Sequence, residues 1–97
     1  MRSSHIRQRQ SYNGAVKKHA RFNQQKKLLT LLRSARIDAG FTQAQLAVRL
    51  DQDQTFVSKY ESAERRLDIL ELREVCHAIG IDFVTFIGRL DKELRLE

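Results

Sequence analysis

The spacing of apolar residues from Lys26 onward restricts the fold of this chain more than any other property of the sequence. Side chains at intervals of three or four recur up to a glycine, Gly40; they are Leu28, Leu31, Leu32, Ala35 and Ala39. This spacing places them on one face of an α-helix, and glycine is a common residue just after a helix end. We therefore predict a first helix over these residues. No segment alternates polar and apolar residues for long enough to predict a strand.

Two short helices are predicted next. Thr42 with Gln45 has the form of a capping box, and the stretch after it places Leu46, Ala47 and Leu50 on one face. A third helix is predicted from about Gln54 to Ser62, with Asp53 at or beside its N-cap. Isolated helices of this length are marginal in water, so both must pack on neighbouring helices.

The remaining sequence predicts two further helices. Asp68 with Glu71 is a second box-like start, and the apolar residues after it continue to Gly80. Asp82 can cap a last helix whose apolar residues are Phe83, Phe86, Ile87 and Leu90. The predicted fold is all-α with five helices, in one domain over residues 25–95.

Positive charge is concentrated at the beginning of the chain. Residues 1–27 hold eight Lys and Arg residues and no acid, so with a net charge of +6 the remainder carries −2. The polar composition predicts a basic, disordered arm over residues 1–24, in which Val16, Ala20 and Phe22 mark a weak helical turn or two at most. The arm lacks an apolar face, which favours nucleic acid over an anionic membrane as its partner. A solvated tail that aids solubility is the alternative.

Several function classes find no support in the composition. Cys76 is the only cysteine, so neither an intramolecular disulfide nor a Cys-rich zinc site can form, and a reducing cytoplasm fits best. There is no apolar run of about 18 residues and no signal-peptide pattern. His5, His19 and His77 share no metal-ligand spacing, and no Ser, His and acid constellation is identifiable. We expect a cytoplasmic protein without metal, cofactor or catalytic residues, and not an enzyme.

Two stretches, 36–47 and 56–68, carry a family resemblance. They read RIDAGFTQAQLA and FVSKYESAERRLD, and they closely resemble the lambda-repressor and Cro type (Xre-like) of helix-turn-helix domain. The resemblance spans about residues 26–87 and implies a DNA-binding transcription regulator from a prokaryote or phage. This chain departs from the family at Asp51 and Ala63, where glycine is common. A left-handed backbone at Ala63 would cost about 1 kcal/mol.

The resemblance also implies which residues meet DNA bases. In this family the third helix enters the major groove, and the matching positions here are Gln54, Thr55, Ser58 and Lys59. Their chemistry agrees, because Gln can pair with adenine, Lys can donate to guanine and Thr can contact a thymine methyl group. The alternative is that these are ordinary solvated side chains on a short helix.

Other positions are assigned by the same resemblance to the DNA backbone and to the fold. Gln43 begins the second helix, whose free amides and dipole attract a phosphate, and Arg65 and Arg66 follow the third helix on the same face. Arg36 and Glu61 match the family's paired Arg and Glu, which we interpret as a structural ion pair. Cys76 is expected in the core.

The expected partner is double-stranded DNA, and two partners of other kinds remain open. The apolar residues of the last helix, Phe83, Phe86, Ile87 and Leu90, could form a homodimer interface or could pack on the first and fourth helices.

We expect a sequence-specific regulator, most simply a repressor. One alternative is the antitoxin of a toxin-antitoxin pair, with a toxin as protein partner. The other is an interaction module that has lost DNA binding, which the charge of −2 on the core would suit.

Overall fold

Five α-helices form the chain in the computed structural model, which describes residues 14–96 and their side chains from residue 20 onward. The helices are α1 (Gly14–Asp38), α2 (Gln43–Arg49), α3 (Gln54–Glu61), α4 (Ile69–Ile79) and α5 (Phe83–Arg95). No strand occurs among the described residues. The predicted all-α class with five helices is confirmed.

The helix starts are set by side-chain caps that the sequence indicates. The Thr42 hydroxyl accepts from the amide of Gln45 at 3.0 Å, and the Gln45 side chain accepts from the amide of Thr42 at 2.9 Å. Asp68 and Glu71 form the same reciprocal pair at the start of α4. Asp53 stands at the N-cap of α3 without a side-chain cap hydrogen bond, so α3 depends more on packing than α2 and α4 do.

The first helix is longer than its apolar pattern predicts. It begins at Gly14, so residues 14–24, which we expected in a disordered arm, are helical. Six of these eleven residues are Ala, Lys, Gln or Arg, which are good helix formers, and each residue added to an existing helix gains a backbone hydrogen bond. Phe22 is 64% exposed, so the core does not hold this part of α1. The rest of the expected arm, residues 1–13, lies outside the described residues.

The core draws side chains from all five helices. Its fully enclosed members include Tyr60 of α3, Phe86 of α5 and Cys76 of α4. Burial raises the pKa of the Cys76 thiol to about 11, as suits an unreactive core cysteine. The apolar residues of α5 could pack within the fold or form a homodimer interface. Phe86 is buried within the fold, while Phe83, Ile87 and Leu90 are half-buried.

Two turns next to α3 have left-handed backbone at residues other than glycine. Asp51, in the turn between α2 and α3, has φ 56°, and Ala63, just after α3, has φ 69°. These are the two positions where the sequence departs from the glycine common in the family it resembles. The turns therefore keep the geometry that glycine favours, with the strain of a Cβ atom at each.

Candidate nucleic-acid interface

The helix α3 has one buried face and one polar face. Val57 and Tyr60 have no exposed surface, so they fix the rotation of the helix on the core. Gln54, Thr55 and Lys59 are exposed on the other side, and Ser58 is half-buried. The four residues predicted to read bases are thus brought to one surface. Together they present amide, hydroxyl and ammonium groups, the donors and acceptors that base edges in a major groove can match.

A chain of hydrogen bonds joins the start of α2 to both ends of α3. The Gln54 side-chain amide lies 3.5 Å from Oε1 of Gln43, the outer limit for a hydrogen bond. The Gln43 amide in turn donates to Oε1 of Glu61 at 3.0 Å. Gln43 therefore touches α3 at its first residue and at its last. It is held in place beside the predicted base-reading surface.

Arg36 and Glu61 form a bidentate ion pair beneath this surface. Arg36 Nε donates to Glu61 Oε2 at 2.7 Å, and a second guanidinium nitrogen donates to Oε1 at 3.1 Å. A third bond runs from Arg36 to the carbonyl of Phe41 at 2.7 Å. The hydrogen bond to Glu61 raises the pKa of Arg36. The pair ties α1 to the end of α3, and removal of one partner would leave a buried charge at a cost of about 3 to 5 kcal/mol.

The two arginines after α3 differ in their surroundings. Arg65 is engaged by Glu71 through two bonds, at 3.1 and 2.7 Å, and its guanidinium lies 4.7 Å from the centre of the Phe56 ring. The structure therefore gives Arg65 a bracing role between α3 and α4. The Arg66 carbonyl accepts from Arg65 at 3.2 Å, but the exposed Arg66 side chain makes no hydrogen bond or ion pair within the described part of the chain. Arg66 is the one of the two whose charge faces solvent unpaired.

Some contacts at this surface are not predicted by the sequence analysis. Arg33 of α1 reaches to within 3.8 Å of Glu61 Oε1, and its side chain is 63% exposed. The contact between Arg65 and Glu71 is also not predicted, although an arginine three residues before the N-cap of a capping box, here Asp68, is a signal that could have indicated it. Arg33 is three residues before Arg36 and therefore lies on the same face of α1. This spacing could have indicated that Arg33 also approaches Glu61.

Comparison with known protein families matches residues 32–86 to a helix-turn-helix family model. The match covers more than half of the chain and takes in the described surface. The chain belongs to the Cro/C1-type helix-turn-helix family. Members of this XRE-like family are DNA-binding transcription regulators, as the resemblance in the sequence implies.

Solved structures of related proteins have the same fold. An XRE-family like protein from Pseudomonas syringae pv. tomato is 42% identical, with a TM-score of 0.77 over 80% of this chain and 95% of that one. A mutant of the restriction-modification controller protein C.Esp1396I is 26% identical, with a TM-score of 0.69 over 76% of this chain and 97% of its own. The clp gene regulator ClgR from Corynebacterium glutamicum is 26% identical, with a TM-score of 0.65 over 75% and 78%. No curated protein matches the chain.

Two further properties concern residues 14–96 of this helix-turn-helix protein. None of their helices has the length and apolar character needed to cross a membrane. Within the same range, no three His, Cys, Asp or Glu side chains are grouped so that they could hold a metal ion.

Proposed function

We propose that this helix-turn-helix protein is a sequence-specific repressor that reads the major groove of DNA with the exposed face of α3. The observation that carries the proposal is the division of α3 into a buried face, with Val57 and Tyr60, and a polar face with all four candidate base readers. A rigidly seated helix presents its donors and acceptors at fixed positions, which base discrimination requires. Two related proteins, one named a restriction-modification controller protein and the other a clp gene regulator, support a regulatory role.

The candidate base-reading side chains differ in the hydrogen bonds that they make within the protein. Gln54 lies 3.5 Å from Gln43, and its exposed amide suits bidentate pairing with adenine. The Lys59 ammonium and the Thr55 side chain make no hydrogen bond or ion pair among the described residues, so both are free to meet bases. Ser58 donates to the carbonyl of Thr55 at 3.3 Å and keeps its lone pairs for a base donor.

In this proposal, phosphate contacts beside α3 fix the position of the helix along the DNA. Gln43 has its oxygen and amide engaged by Gln54 and Glu61, so it meets a phosphate with the remaining N–H of its side chain or with its backbone amide. Arg66, in the loop after α3, contributes an unpaired cation. Arg65 acts through the loop, which its bonds to Glu71 hold against Phe56.

A two-fold homodimer suits this role, because two copies would read two half-sites about one helical turn apart. The half-buried residues Phe83, Ile87 and Leu90 of α5, with Val84 at 76% exposed, supply apolar surface for the contact. The symmetry of the DNA site is the readout for this part of the proposal.

The proposal is tested by selecting bound sites from random duplexes and then measuring variants on the recovered site. Lys59→Ala and Gln54→Ala should each weaken specific binding by about 1 to 3 kcal/mol and leave binding to random DNA nearly unchanged. A palindromic site would support the dimer. Recovery of no preferred sequence would contradict sequence-specific reading, and equal losses on both kinds of DNA would remove these residues from base reading.

A further inference from the structure

A groove runs between α1 and the loop after α3, next to the proposed base-reading surface. Its volume is about 740 Å³. One wall is a face of α1 that includes Arg21, Lys26 and Arg33, and the other includes Arg66. Phe22 and Ile37, 64% and 52% exposed, line the same groove. Four cationic side chains therefore converge on one concave surface.

The positive charge of this groove is not cancelled locally. Glu61 is the only acid among the lining residues, and its side chain is 5% exposed. Both oxygens of that carboxylate are already engaged by Arg36, and Oε1 also accepts from Gln43. Arg21, Lys26 and Arg66 make no ion pair within the described residues. The groove therefore selects an anionic occupant.

We infer that the groove holds the phosphodiester backbone of DNA that flanks the site read by α3. This inference rests on the proposed function and extends the footprint beyond it. The groove is continuous with the proposed interface, because Glu61 lies in its lining and is hydrogen-bonded to Gln43 at 3.0 Å. Two other occupants are disfavoured by like charge. A second copy of the groove is itself positive, and the charged residues of segment 1–13 are all arginines, namely Arg2, Arg7 and Arg9. DNA is a polyanion and, in the proposed function, already lies at the adjoining surface of α3, so it fits both the charge and the position of the groove.

The first test compares two triple variants with the same change in charge. One carries Arg21→Gln, Lys26→Gln and Arg33→Gln in the groove. The control carries Arg73→Gln, Arg89→Gln and Lys92→Gln, exposed residues of α4 and α5 outside the groove. Each phosphate contact adds about 0.9 to the slope of log affinity against log salt, so the groove variant should flatten the slope by about 2.7. The control should keep the wild-type slope, and thermal melts should show that both variants fold.

Duplex length provides the second test. The groove variant should lose affinity on a duplex that extends beyond the selected site, and match the wild type on one trimmed to that site. Its preferred sequence should not change, because phosphate contacts carry no sequence information. Equal slopes for the two triple variants would overturn the inference and favour an acidic protein segment as the occupant. If the wild-type protein binds no duplex at all, it is the proposed function that fails.

Discussion

The backbone at Ala63 is left-handed, with φ 69°, and the residue is exposed. That conformation costs an L-residue about 1 to 2 kcal/mol, while the greater freedom of glycine in the unfolded chain costs about 0.5 to 1 kcal/mol. We expect Ala63→Gly to stabilise the protein by about 0.5 to 1 kcal/mol, measured by urea denaturation.

The matched control is Ala35→Gly within α1, where the backbone is helical. There glycine brings its entropic cost and also removes the methyl group that Ala35 packs on the core, so the variant should lose about 1 kcal/mol or somewhat more. If both glycine variants were destabilised alike, the left-handed strain at Ala63 would have no measurable cost.

The link between α3 and α4 depends on the charge of Glu71. The bonds to Arg65 lower its pKa from 4.5, so the ionised form is stabilised in the folded state. A carboxyl group with a lowered folded pKa contributes stability that is present above pH 4.5 and is lost as the pH falls through the folded value. Glu71→Gln removes the charge and keeps an oxygen that accepts from the Asp68 amide, 3.0 Å away in the wild type.

We expect Glu71→Gln to be less stable than the wild type at pH 7, with the difference shrinking as the pH is lowered below 4.5. The effect should be small, because the Glu71 side chain is 27% exposed and that of Arg65 is 40% exposed. Urea midpoints measured across this pH range give the comparison. A difference that stayed constant with pH would show that the amide substitution acts through packing and not through charge.

The helices differ in how well the sequence predicts them, for physical reasons. The starts of α2 and α4 depend on local capping groups, Thr42 with Gln45 and Asp68 with Glu71, so a four-residue pattern is sufficient. The first half of α1 is held by propagation and helix propensity and has no strong apolar stripe, so periodicity misses it. At the candidate site, residue types indicate the groups on α3. The contact of Gln43 with Glu61 arises from tertiary approach, which spacing along the chain does not reveal, whereas the contact of Arg65 with Glu71 is local.

Across the whole molecule, charge is distributed unevenly, with +8 in residues 1–27 and −2 in the rest. If the first residues neutralise phosphates, deletion of residues 1–13, which removes Arg2, Arg7 and Arg9, should flatten the salt dependence of DNA binding by up to about 2.7. The control is the full chain with these three arginines changed to glutamine, and its salt slope should equal that of the deletion variant. A wild-type slope in both proteins would contradict the prediction.

The double contact of Gln43 limits how a regulator of this kind could be retargeted to another operator. Gln43 contacts Gln54 at 3.5 Å and donates to Glu61 at 3.0 Å, so exchange of Gln43 removes a partner from both residues. Thr55 and Lys59 carry no such connection through their side chains among the described residues. If the proposed interface reads bases, single substitutions at these two positions should alter the recognised bases while the scaffold stays intact. Evolution of new operator preferences in this lineage should therefore begin at Thr55 and Lys59, and Gln43 should be the last of these positions to change.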